Sequence, residues 1–149
     1  MNKILSVVIP SYNMEEYLYR NVSSMMIREI LDDLEIIIVN DGSKDRTSEI
    51  AHELQRKASQ SIVVIDKENG HYGSCVNAAL KIATGKYFRI LDADDWMDSG
   101  EFVKFVNILR CIDVDCVYTP FANVFLHKNR KEYCIADNAV WNKKIDLSH

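Results

Sequence analysis

The chain has 149 residues, 48% of them hydrophobic and 27% charged, with a formal net charge of −4; this is an ordinary globular composition, of a length that predicts one domain with one core. Five Gly and two Pro exclude a low-complexity or collagenous chain, and no apolar run approaches the roughly 20 residues of a membrane span. No charged n-region with an apolar h-region opens the sequence, so it does not read as a secretory precursor, and the mild acidity argues against a dedicated nucleic-acid binder, which carries a basic patch.

Short apolar runs alternate with segments of helical period. Residues 4–9 are nearly all apolar and β-branched, as expected of a strand covered on both faces in a parallel sheet, and Pro10 is expected to end it. From Met14, apolar residues recur at helical spacing at Tyr17, Leu18, Val22, Met25 and Met26. Residues 35–39 form the second expected strand, followed by a turn at 40–43. Ser43 or Asp45 is placed to cap the next helix, which carries Ile50, Ala51, Leu54 and Ala58 inward. Residues 61–65 are the third strand. A loop at 66–73 leads to a helix with Val76, Ala79, Leu80 and Ala83 on one face and Gly85 as its C-terminal cap.

The fourth strand is 87–91, with Asp92-Ala93-Asp94-Asp95-Trp96 at its end. Asp98 begins a further helix with Glu101 in the capping-box position and Phe102, Phe105, Val106 and Leu109 turned inward. Residues 115–118 read as a fifth strand. This βαβαβαβαβ order with right-handed crossovers predicts a doubly wound α/β sheet. After Pro120 the pattern weakens: 121–126 and 132–136 suit a hairpin across 127–131, and 141–149 shows no periodicity. The four cysteines, Cys75, Cys111, Cys116 and Cys134, match no C-x-x-C or zinc spacing. They are expected to be reduced cytosolic thiols, mostly packed as small hydrophobes.

Ligands of open α/β sheets bind beyond the carboxyl ends of the strands, where three polar clusters fall. Asp92-Ala93-Asp94-Asp95 places three carboxylates in four residues. Their mutual repulsion is relieved by a cation, and a hard oxygen set suits Mg²⁺ or Mn²⁺; the competing reading is a solvated acidic turn. Asn40-Asp41-Gly42-Ser43 reads either as a plain turn or as an Asp presented to a base or ribose. The loop Glu68-Asn69-Gly70-His71-Tyr72-Gly73-Ser74 precedes a helix N-terminus that can receive phosphate, or it is a flexible loop. No G-x-G-x-x-G, P-loop or G-x-S-x-G elbow is present. His71 alone among the histidines lies near these clusters, as a bystander.

Taken in order, Val8-Ile9-Pro10-Ser11-Tyr12-Asn13, Val39-Asn40-Asp41-Gly42-Ser43-Lys44-Asp45-Arg46-Thr47, Asn69-Gly70 with Asn77-Ala78-Ala79, and Ala83-Thr84-Gly85-Lys86-Tyr87 running into Leu91-Asp92-Ala93-Asp94-Asp95-Trp96 resemble the family 2 glycosyltransferases of GT-A fold. The likeness covers roughly residues 4–118. It implies a mainly parallel sheet with a Rossmann-like half, a nucleotide-sugar-binding core over 1–118 and the start of an acceptor-side region over 119–149. It also implies inverting transfer of a sugar from a nucleotide-diphosphate sugar, most often a UDP-sugar, to an acceptor hydroxyl in cell-surface polysaccharide or glycan synthesis.

Carried over by position, the donor is bound by Pro10, Ser11, Tyr12, Asn13, Asp41, Gly42, Ser43, Asn69, Gly70, Asn77, Asp92 and Ala93, with Asp41 on the uracil. The D-x-D at Asp92-Ala93-Asp94 contacts the ribose and holds Mn²⁺ or Mg²⁺ on the diphosphate, Asp94 as chief ligand with Asp92 and Asp95 assisting. Asn40 stands where many relatives have an Asp, which keeps a hydrogen-bonding group. The general base has no assigned residue and is expected beyond His149, because Asp137 and Asp146 sit in no matching motif; the chain is therefore expected to be the donor portion of a longer enzyme. A cytoplasmic location follows, peripheral to the inner face of a membrane through regions outside this chain, with no nucleic-acid partner and a homodimer left open. Two other readings stand beside this one. One is a non-catalytic nucleotide-sugar-binding module. The other is a metal-dependent phosphohydrolase or receiver-like domain, which would want acids after the first strand, where Pro10-Ser11-Tyr12-Asn13 stands.

Overall fold

A computed structural model describes residues 3–135. The chain divides into two compact units, Met1–Ile112 and Asp113–His149. The first holds a four-stranded parallel sheet in the order β3-β2-β1-β4, formed by β1 (Leu5–Ser11), β2 (Leu34–Asp41), β3 (Ile62–Lys67) and β4 (Tyr87–Ile90). Helices α1 (Leu18–Ser23), α2 (Thr47–Lys57), α3 (His71–Leu80) and α4 (Ser99–Cys111) complete it. Every residue of β1 and β2 is buried, which is why both read as continuous apolar runs. β3 lies at an edge, and its middle residues are only half-buried. The chain steps outward from β1 to β3, then α3 carries it back to β4 on the far side of β1. That reversal makes the carboxyl end of β1 a topological switch point. Cys75 and Ala79 of α3 pack on Val8, Ile37 and Val39.

Several expectations are corrected. Pro10 does not end β1, which runs on to Ser11. The Val8 carbonyl accepts from Leu91 N–H on the β4 side, so Pro10, two residues on, turns its missing donor to that same side. β4 has ended there at Ile90, and no ladder bond is lost. The first helix is shorter than its periodicity: Leu18 N–H does bond to the Met14 carbonyl, but the regular helix stops at Ser23. Ser24 Oγ donates to the Asn21 carbonyl at 2.6 Å, taking the acceptor that the Met25 N–H would need, and Met25 bonds to Val22 instead. Neither Ser43 nor Asp45 is the residue before α2; that is Arg46, although Asp45 Oδ1 accepts from Thr47 N–H.

α3 begins inside the expected loop and ends at Leu80, whose side chain is exposed. Gly85 is not its cap. It lies against β1, where a Cβ would come 2.4 Å from the Ser6 nitrogen. There Gly85 N–H donates to Ser6 Oγ, Ser6 Oγ donates to Glu35, and Thr84 donates to Glu35 from both its N–H and its hydroxyl. The helix after Asp98 forms as expected: Asp98 caps it by accepting from the Gly100 and Glu101 N–H groups, and Phe102, Val106 and Leu109 are buried. Of the four cysteines only Cys75 is fully buried, so the expectation that most pack as small hydrophobes does not hold.

In the second unit, residues 115–118 form no strand. This four-residue run has Cys116 and Tyr118 exposed, and no strand among the described residues pairs with it. A hairpin forms from β5 (Phe121–Phe125) and β6 (Arg130–Cys134), antiparallel with Phe121 opposite Cys134, but its second strand begins two residues earlier than expected, at Arg130, which pairs with Phe125. Residues 136–149, including the aperiodic stretch 141–149, lie outside the described residues. Among the described residues no helix is long and apolar enough to cross a membrane.

Candidate functional site

The three polar clusters meet at the carboxyl ends of the strands. The segments after β1 and β2 are laced together by reciprocal bonds. Asn13, at φ 55, donates its N–H to Ser43 Oγ and accepts from Lys44 N–H through Oδ1. Met14 N–H donates to Thr47 Oγ1, Glu15 N–H donates to Asp45, and Arg46 N–H donates back to Glu15. The two sequence motifs thus hold each other in place, and this accounts for the role of Asn13 and Ser43 in the structure.

Asp41, at the end of β2, is only 3% exposed. Its Oδ1 accepts from Lys67 Nζ at 2.5 Å and from Gly70 N–H at 3.0 Å, while Asn69 Nδ2 donates to its main-chain carbonyl. Burial pushes its carboxyl up, but the bonds from Lys67 and Gly70 and the Lys67 charge outweigh that and hold it below the usual range. Asp41 is therefore an ionised acceptor with Oδ1 occupied. Gly42, at φ 70, and the Asn69–Gly70 loop let the two backbones approach closely: a Cβ on Gly42 would lie 2.9 Å from the Asn69 nitrogen. Asn40, one residue earlier, donates to Asp66 Oδ1 at 2.7 Å, where an Asp would face like charge.

Asp66 also accepts from Ser48 Oγ and is 2.7 Å from His52 Nε2. Burial pushes its pKa up, but the bonds from Asn40, His52 and Ser48 outweigh that and leave it below the usual range. A carboxylate depressed in the folded state contributes stability that is complete above its unfolded pKa near 3.8 and is lost as pH falls through the lower folded value. Asp66→Asn is therefore expected to lower the urea midpoint at neutral pH and to flatten its fall below about pH 4 relative to wild type; parallel falls in both proteins would contradict this.

The acidic turn follows β4. Asp92 Oδ1 accepts from Tyr72 OH at 2.8 Å. The Tyr72 hydroxyl is pushed up to about 12 by burial and then by that carboxylate, so it stays a donor. Burial, then the charges of Asp94 and Asp92, push the Asp95 carboxyl up. That accumulation of negative charge on hard oxygen donors fits a divalent cation. Among the described residues no three His, Cys, Asp or Glu groups converge to hold a metal, so a cation here would take its remaining oxygens from water or a bound phosphate, as Mg²⁺ commonly does.

A cavity of about 570 Å³ opens between these clusters, within the usual range for ligand pockets. Of the expected residues, Pro10, Ser11, Tyr12, Asp41, Asn69, Asp92, Ala93 and Asp94 line it. Gly42 lines an adjoining cavity that shares Tyr12 and Asn69. Asn13, Ser43, Gly70, Asn77 and Asp95 line neither; Gly70 acts through its N–H on Asp41, and Asn77 is exposed on α3. The expectations do not include Met14, Tyr72 and Cys75, which also line the 570 Å³ cavity, nor Lys67; His71, expected to be a bystander, lines it too. Lys67 stands directly opposite Asp41 in the β2–β3 register, a signal that appears only once the register is known.

The glycosyl transferase family 2 model matches residues 6–148. The chain is 37% identical over 121 residues to the uncharacterized glycosyltransferase EpsJ of Bacillus subtilis, covering 81% of this chain and 35% of EpsJ. It is 34% identical over 122 residues to the chondroitin synthase of Pasteurella multocida, covering 81% of this chain and 12% of that protein. The crystal structure of S. aureus TarS residues 1–349 in complex with UDP-GlcNAc superposes with a TM-score of 0.62 at 26% identity, over 72% of this chain and 31% of that one. The chain thus spans about a third or less of the length of these relatives. Its mainly parallel α/β sheet is that of the GT-A glycosyltransferases, and the chain belongs to glycosyl transferase family 2.

Proposed function

We propose that residues 1–118 are the donor-binding core of an inverting glycosyltransferase that moves a sugar from a UDP-sugar to an acceptor hydroxyl in cell-surface polysaccharide or glycan synthesis, with residues 119–149 beginning the acceptor side. The observation that carries this reading is that Ser11 and Tyr12, Asp41, and Asp92 with Asp94 converge from three separate strand ends onto one cavity. Asp41, ionised and with Oδ1 held by Lys67 and Gly70, accepts the imide N–H of uracil through Oδ2, and the half-exposed ring of Tyr12 offers a face to the base. Asp94 would be the chief ligand of Mn²⁺ or Mg²⁺, assisted by Asp92 and Asp95, and an ion held there would supply Lewis-acid neutralisation of the leaving diphosphate. Tyr72 fixes Asp92 for this task by its hydrogen bond. In the transfer, the bond from the anomeric carbon to the diphosphate oxygen breaks and one to the acceptor oxygen forms on the opposite face. The acceptor proton passes to a carboxylate base of the acceptor side. The complexes of TarS with UDP-GlcNAc and with UDP, and the likeness to a chondroitin synthase, support the donor and product class.

A thermal-stability screen of UDP, CDP, GDP and ADP with Mn²⁺ tests the donor. A ligand at a hundred times its Kd stabilises the native state by about 2.7 kcal/mol, so UDP is expected to raise the melting temperature by several degrees and the others by less. A flat response to all four would overturn the reading.

A further inference from the structure

Asn21 of α1 has no exposed surface, yet it is polar and sits on the apolar stripe of Leu18, Val22 and Met25, which are buried like it. Its Nδ2 donates to the Asp92 carbonyl at 2.8 Å and to the Asp95 carbonyl at 3.0 Å. The Asp95 N–H donates in turn to the Asp92 carbonyl. One side chain therefore closes both ends of the turn that carries Asp94. Its own Oδ1 is buried without a hydrogen-bond partner, and an orphaned buried acceptor is a net cost to the fold. Rotating the amide would set that oxygen against two carbonyl oxygens, so the donors decide its orientation. All the hydrogen bonding this buried side chain does is therefore directed at the acidic turn. The same stretch of α1 grips the neighbouring main chain: the Arg20 guanidinium lies 3.5 Å from the Trp96 ring centre, Ser24 Oγ accepts from Met97 N–H, and Ser99 Oγ donates to the Ser24 carbonyl.

We infer that Asn21 is a positioning residue of the donor site, setting the Asp92–Asp95 main chain so that the Asp92 and Asp94 carboxylates face the cavity together. This rests on the reading of the turn as the metal-assisted diphosphate site. Groups that stand behind metal ligands in this way typically matter by 10–100-fold in affinity.

The test uses the full 149-residue chain and Asn21→Leu, which keeps the number and branching of the side-chain heavy atoms, removes both donors and also removes the orphaned acceptor. UDP binding is titrated calorimetrically with Mn²⁺ and with EDTA, and amide hydrogen exchange is followed over residues 93–97. The expected result is a loss of about tenfold in the Mn²⁺ enhancement of UDP binding, with metal-free affinity within about twofold of wild type, an unchanged melting temperature and faster exchange at Asp95. Asn21→Asp, which puts acceptors against the same two carbonyls, is expected to lose the enhancement as well. A merely structural role predicts the reverse: a lower melting temperature with the Mn²⁺ enhancement and the exchange of the folded state intact, and that result overturns the inference. If wild type fails to bind UDP, the donor-site reading falls, while unchanged exchange in Asn21→Leu is what would refute the role of Asn21.

Discussion

Asp94→Ala is expected to erase the Mn²⁺ dependence of UDP binding, lowering affinity in the presence of metal by roughly a hundredfold or more, since loss even of groups behind metal ligands reaches that scale. Asp92, Asp94 and Asp95 stand within four residues, and like charge with burial already forces the Asp95 carboxyl upward. On the proposed reading, a cation held by the cluster would offset its repulsion of a diphosphate. Asp92 has a second duty as the acceptor of Tyr72, and Asp95 does not line the cavity. That leaves Asp94 as the carboxylate most available to an ion there. With EDTA, wild type and Asp94→Ala are expected to bind UDP equally weakly. Isothermal titration with and without Mn²⁺ checks this, and a variant that keeps the wild-type Mn²⁺ response would refute the assignment of Asp94.

Asp41→Asn is expected to weaken UDP binding by roughly tenfold to a hundredfold, the scale of one hydrogen bond to a charged group, and to narrow the preference for UDP over CDP. The buried carboxylate is acceptor-only and is kept ionised by Lys67 and Gly70. An amide in its place gives its oxygen to Lys67 and turns its NH₂ to the ligand, which meets the imide N–H of uracil donor to donor but suits the acceptor N3 of cytosine. It also leaves the half-buried Lys67 charge without an ionic partner, so the denaturant midpoint is expected to fall too. Competition titrations of UDP against CDP on both proteins check the base preference, and an unchanged UDP to CDP ratio would contradict it.

The parts of the fold legible in the sequence are those where one physical demand acts alone. β1 and β2 are buried on both faces, so hydrophobicity by itself marks them. Asp98 caps α4 through its own neighbours, a wholly local interaction. The misread parts are decided by tertiary partners. Pro10 is tolerated because β4 stops short beside it, and Gly85 is required by the approach of Ser6 rather than by α3. The run 115–118 has strand-like residues but no partner strand among those described. The clusters of the site were visible because each follows a strand, and the sheet places strand ends together. Lys67, Tyr72 and Asn21 were not, because their meaning lies in the β2–β3 register, in the α3 approach to the acidic turn, and in the α1 contact with it.

The most direct measurement of the central claim is isothermal titration of the 149-residue chain with UDP, first with Mn²⁺ and then with EDTA. One UDP is expected to bind per chain, at least about tenfold more tightly with the metal, the gain expected when a divalent ion joins carboxylate and diphosphate. No UDP binding in the presence of Mn²⁺, by a chain shown to be folded, would contradict it.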